Sequence, residues 1–92
     1  MESNEAYREQ VLKTFWKDGL VLLLPSDKEM RKILLLKIAE DFEPGRSYSE
    51  LEVNFKILDH YDDYRLVRKE LIDSGILTKT RGQYIRPAGK EN

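Results

Sequence analysis

Helix start and stop signals divide residues 26–86 with little freedom. Ser26 and, three positions on, Glu29 read as a capping box, in which hydroxyl and carboxylate answer the unpaired amides of a helix start. The helix they open runs to about Phe42, with Met30, Ile33, Leu34, Leu35 and Ile38 facing a core, and Pro44-Gly45 ends it. Arg46–Tyr48 reads as a one-bridge strand. Ser49 and Glu52 form a second capping box, and Tyr48 and Val53 stand where a hydrophobic staple would close. That helix continues to about Leu58. Asp59-His60-Tyr61 turns the chain, Asp62 caps a third helix to about Ser74, and Gly75 takes its left-handed exit. Ile76–Lys79 and Gln83–Arg86 then pair as a hairpin around Thr80-Arg81-Gly82.

Helix, short strand, helix, turn, helix and two-stranded wing is the order of a winged helix-turn-helix, an α+β fold with a three-helix core and a small β wing. A three-helix bundle without the wing is the alternative. Upstream, Asn4–Lys17 reads as an extra helix, with Tyr7, Val11, Leu12 and Phe15 at helical spacing and Asp18-Gly19 as its stop. Leu20–Leu24 is a continuous apolar run whose length suits a short buried strand. The 92 residues thus form one winged-helix-like domain: N-terminal helix 4–17, core about 26–86, and a frayed tail over 87–92.

With no cysteine, thiolate zinc sites, disulfides and cysteine nucleophiles are excluded, and the cytoplasm is the expected compartment. No apolar run approaches the ~20 residues of a bilayer span, and the acidic first ten residues do not resemble a signal peptide. His60 with Asp62 and Asp63 supplies one nitrogen and two carboxylates, too few for a metal site and without a nucleophile to activate. The expectation is a non-catalytic chain without metal or cofactor.

Net charge is −1, but it is unevenly spread: residues 38–63 carry two basic and eight acidic groups, residues 64–90 seven basic and two acidic. Either the basic third meets DNA, or the two halves attract each other. On the third helix Tyr64, Val67, Leu71 and Ile72 form the apolar arc. Arg65 and Lys69 lie outside it and would face a phosphate backbone, with Lys79, Arg81 and Arg86 on the wing. The competing view makes them a solvated face. Arg68 falls inside the arc and needs an acidic partner, Glu50 or Glu52.

On the second helix Leu51, Phe55 and Leu58 form one apolar stripe, and Val53 with Ile57 another. A core this small takes one fully. Trp16, Leu20, Leu22, Leu51 and Phe55 are therefore candidate interface residues of a two-fold homodimer or of a regulatory partner's docking face. The alternative is that the N-terminal helix covers them.

Several stretches resemble an uncharacterised bacterial family, number 2087 among the domains of unknown function. They are Phe15-Trp16-Lys17-Asp18-Gly19 with Pro25, Phe42-Glu43-Pro44-Gly45-Arg46, Tyr48-Ser49-Glu50 with Glu52-Val53-Asn54, and His60 with Asp63 and Val67 through Asp73. The resemblance implies a winged-helix domain found alone or behind the DNA-binding domain of some bacterial transcriptional regulators. It implies a regulatory context and no established activity. Relative to that family, Leu20 stands where arginine is usual, and Leu22, Leu23, Leu51 and Phe55 are apolar where polar residues are frequent.

Overall fold

The computed structural model describes residues 2–88, and of residues 2 and 3 the backbone alone. The element order is α1 (Glu2–Phe15), β1 (Trp16–Lys17), β2 (Leu20–Val21), α2 (Lys28–Ala39), β3 (Ser47–Ser49), α3 (Glu50–Leu58), α4 (Tyr64–Asp73), β4 (Thr78–Thr80) and β5 (Gln83–Ile85). β1 and β2 form a two-stranded antiparallel sheet, and β3, β5 and β4 a three-stranded one in that spatial order. From α2 onward this arrangement is compatible with a winged-helix-like α+β fold, the hairpin β4–β5 being the wing and β3 its third strand.

The local chemistry explains most boundaries. At α3 the Ser49 hydroxyl accepts the Glu52 amide at 3.1 Å, and the Glu52 carboxylate accepts the Ser49 amide at 2.8 Å, so the capping box is complete. Tyr48 and Val53, the staple positions on either side, are both buried. At α2 the expected cap at Ser26 moves one residue: Asp27 accepts the Met30 amide at 3.0 Å. At α4 the same shift occurs, with Asp63 in place of Asp62 accepting the Leu66 amide at 3.1 Å. α2 ends at Ala39, not at Phe42, whose fully buried ring meets the Tyr48 ring edge-on at 5.1 Å from the turn that follows.

The N-terminal part differs more from expectation. The first helix ends at Phe15, not Lys17, because Asp18 (φ 54°) and Gly19 (φ 81°) are both left-handed, as a two-residue hairpin turn requires. Trp16 pairs with Val21 and Lys17 with Leu20. The stretch Leu20–Leu24 is accordingly not a buried strand: Val21 and Leu24 face the core, whereas Leu20, Leu22 and Leu23 are 50%, 58% and 61% exposed. The wing repeats this turn geometry, with Arg81 (φ 53°) and Gly82 (φ 79°) between Thr80 and Gln83. Its strands begin at Thr78 and end at Ile85, later and earlier than expected, and β3 begins one residue after Arg46. Pro87 and Ala88 follow without regular structure, and the rest of the expected tail, residues 89–92, lies outside the described residues.

The core lies between α2, α3, α4 and the three-stranded sheet. Leu34, Ile38, Phe42, Val53, Ile57, Val67, Leu71 and Leu77 are fully enclosed, each burial favouring the fold by about 1.5–3 kcal/mol. α1 packs on α2 through Val11, with Leu12 and Phe15 half-buried against the core and Tyr7 at its exposed margin. Arg31 of α2 binds Glu70 of α4 through two parallel bonds of 2.7 Å, and its third donor meets the Pro25 carbonyl at 2.9 Å. That fork ties α2 to α4 across 39 residues of chain, and the hydrogen bond to Glu70 holds the guanidinium above its ordinary pKa.

Candidate functional site: a charged helix beside an apolar one

The residues expected to touch nucleic acid sit on two elements, and most have protein partners. Arg65 and Lys69 are exposed on the outer face of α4. Lys69 bonds Asp73 one turn on at 2.8 Å, which raises its pKa. Arg65 lies 5.6 Å from the centre of the Tyr64 ring. On the wing, Lys79 and Arg81 are exposed, and Lys79 also rests over the Tyr84 ring at 5.4 Å. Arg86 is not a wing contact. It reaches inward and donates to the carbonyls of Ala39 and Phe42 at 3.1 and 3.0 Å, adding a second bond to the Ala39 oxygen, which already accepts the Phe42 amide at 2.9 Å. The exposed positions of α4 are thus Arg65, Lys69 and Asp73, with Asp62 just ahead of the helix, so no run of cations forms there.

Of the two carboxylates expected beside Arg68, the structure places one there and adds an amide. Arg68 lies 3.7 Å from Glu50 and donates to the Asn54 side chain, joining α4 to α3. Glu52 is not involved: its carboxylate serves the Ser49 cap, and the amide it accepts holds its pKa below the usual carboxylate range. Asn54 carried no sequence signal for this pairing beyond its place one turn after Glu50 on the same edge of α3.

The two stripes of α3 separate cleanly. Val53 and Ile57 are fully buried, while Leu51, Phe55 and Leu58 are 63%, 60% and 41% exposed. α1 does not cover them, since it lies on α2. Leu58 continues the stripe into a depression of about 340 Å³ that Leu20, Val21 and Leu22 line from the β1–β2 side, with His60, Tyr61, Asp62 and Asp63 completing the wall. Leu20, Leu22, Leu51, Phe55 and Leu58 therefore belong to one apolar surface. Trp16, expected there as well, is half-buried against the core, its ring 4.9 Å from that of His60.

His60 anchors the floor of this surface. Its Nδ1 faces the Gly19 carbonyl at 2.5 Å and its Nε2 the Asp41 carboxylate at 2.6 Å, while its own carbonyl accepts the Val21 amide at 2.8 Å. It pins the β1–β2 hairpin to the α3–α4 turn and so positions Leu20 and Leu22. Among the described residues no group of three or more His, Asp or Glu side chains is arranged to hold a metal ion, and no helix is long and apolar enough to cross a membrane.

Among curated proteins and solved structures, none matches this chain. Residues 21–86, from β2 through the Arg86 hook, match the profile of a family described as an uncharacterized protein conserved in bacteria, DUF2087. Those residues include the α3 stripe, Leu22 and every hydrogen bond of Arg31, Arg68 and Arg86 described above, and they make up most of the chain, which belongs to that family.

Proposed function

We propose that the chain is a non-catalytic protein-interaction module of a bacterial regulatory system, docking a different protein through the outer face of α3 and β2. One observation carries the reading: α3 buries one apolar stripe completely and leaves Leu51, Phe55 and Leu58 largely in solvent, contiguous with Leu20 and Leu22. These five side chains bare on the order of 500 Å², at the upper end of what isolated small proteins expose without a use for it. Glu52 and Asp59, exposed beside the stripe, would meet their own copies in an antiparallel two-fold pairing, which favours a different protein as the partner.

Nucleic-acid binding is the second reading, favoured by Arg65, Lys79 and Arg81, which are exposed and in no ion pair among the described residues. A photo-crosslinking amino acid placed in bacterial cells at position 55, and separately at position 65, distinguishes them. Position 55 is expected to give a discrete adduct with another protein, lost when Leu51→Glu is added, and position 65 none. An adduct of two copies of the 10.9 kDa chain would make the module a homodimer. Duplex binding that falls steeply with salt and weakens in Arg65→Ala with Lys69→Ala would overturn the proposal.

A further inference from the structure

We propose that the partner presents a cationic amphipathic helix, laid along α3 with its apolar stripe in contact with Leu51, Phe55 and Leu58 and its Lys or Arg residues along the Glu52–Asp59 edge and at the Asp62 end. The inference rests on the interaction reading above and adds the chemistry of what is bound. It follows from the border of the apolar surface. Glu52 on α3 and Asp59 at its C-cap lie at about 100° and 80° around the helix axis from Leu51, along one edge of the stripe, as the ~100° step per residue dictates. Both are exposed, and neither joins an ion pair among the described residues. At the end of the stripe Asp62 and Asp63 wall the depression that Leu20, Leu22 and Leu58 line. Asp63 keeps one oxygen on the α4 cap, and Asp62 is free of ion pairs among the described residues.

Arg46 and Lys56 lie near enough to Glu52 to help lower its pKa, and the cations nearby offset the other border carboxylates little. Lys56 is turned back over the rings of Phe42 and Tyr48, at 5.9 and 5.4 Å, on the inner side of α3. Arg68 is engaged by Glu50 and Asn54. Lys17, across from Leu20 in the hairpin, has, like Lys56, no ion-pair partner among the described residues. An apolar strip with a carboxylate border matches a helix whose apolar face is flanked by basic residues, and repels one flanked by acidic residues or a second copy bringing the same border.

The shape agrees with a helix more than with an extended strand. Leu51 to Leu58 spans roughly 10 Å of helix axis, with apolar groups at intervals of four and three, and two convex helices mesh through such rows. The depression beyond Leu58 extends the contact by about one turn, so a partner helix of about three turns fills the surface.

The test uses two synthetic three-turn helical peptides with the same apolar residues at i, i+4 and i+7, one flanked by Lys and Arg, the other by Glu, each followed by fluorescence anisotropy against the full chain. The basic peptide is expected to bind at least about tenfold more tightly at low salt, with the gap narrowing as salt rises. Phe55→Glu should remove the binding, and Asp59→Lys with Asp62→Lys, checked for native circular dichroism, should reverse the preference. Equal binding of the two peptides, a preference for the acidic one, or binding by neither overturns the proposed chemistry. Binding that persists in Phe55→Glu overturns the location. Self-association that Phe55→Glu abolishes would make a second copy the occupant. If neither peptide binds while position 55 still crosslinks to another protein in cells, the partner's chemistry is wrong and the interaction reading stands.

Discussion

The outer faces of α3 and α4 are opposites, although the helices are adjacent and similar in length. α4 turns charge outward and ties much of it down: Lys69 to Asp73 on its surface, Glu70 to Arg31 at one edge, Arg68 to Glu50 and Asn54 at the other. α3 turns apolar groups outward and leaves Leu51, Phe55 and Leu58 exposed. In a winged-helix frame the third core helix is the one positioned to enter a groove of DNA. Here that helix has Arg68, Lys69 and Glu70 paired within the fold and Arg65 alone unpaired among its described cations, and the helix before it carries the exposed apolar surface. Position in a fold does not assign a role; the partners of individual side chains do.

The sharpest way to break this contrast is to compare the two stripes of α3. Ile57→Ala should cost about 2–4 kcal/mol, because it opens a cavity in a fully enclosed site, whereas Phe55→Ala should cost under about 0.5 kcal/mol. Urea midpoints decide, and similar losses at both positions would mean that the outer stripe is covered. Next in size is Glu70→Ala, expected to cost about 2–3 kcal/mol, since it strips Arg31 of a two-bond partner at a half-buried site. A loss below about 0.5 kcal/mol would detach α4 from α2 as a structural pair. Arg68→Ala should follow at about 1–2 kcal/mol, less than a fully buried pair because Glu50 is half exposed. A neutral outcome there would free Arg68 for an external contact and revive the nucleic-acid reading.

The smallest effect concerns the cap of α3. The folded-state pKa of Glu52 is lowered, chiefly by the Ser49 amide that donates to it. Its contribution is therefore present above the unfolded carboxylate pKa and lost as pH falls through the lower folded value. Glu52→Gln keeps an acceptor without a charge and should flatten the acid limb of the stability curve. An unchanged acid limb would show that the box holds through its geometry alone.

Signals confined to a few residues were legible in the sequence: the Ser49–Glu52 box, the left-handed Gly75 (φ 78°), the wing turn and the division of α3 into two stripes. Where two neighbours could serve equally, the sequence left the choice open by one position. Ser26 and Asp27 are both competent caps, as are Asp62 and Asp63, and the phase that packing imposes on the helix selects the second of each pair. Asp18-Gly19 suits a hairpin turn as well as a helix stop, and the pairing of Trp16 with Val21 settles it as a hairpin. The long-range side-chain contacts had no local signature. Arg31 finds Glu70 across 39 residues, and Arg86, alternating with the basic residues of the wing, gives no hint that it points inward.

That inward turn of Arg86 has a consequence for how the chain is made. The Phe42 carbonyl waits for a donor 44 residues downstream, and the Ala39 carbonyl, already bonded by the Phe42 amide, gains its second from the same side chain. β3, too, lacks its sheet partner until β5 exists, because Ser47, Tyr48 and Ser49 pair with Ile85, Tyr84 and Gln83. A nascent chain halted before residue 83 has every helix in hand and neither the strand nor the hook that closes the first of the core helices. Emergence of residues 83–86 from the ribosome is then the event that commits the core, and arrested chains of increasing length should gain protease resistance in one step there and not helix by helix.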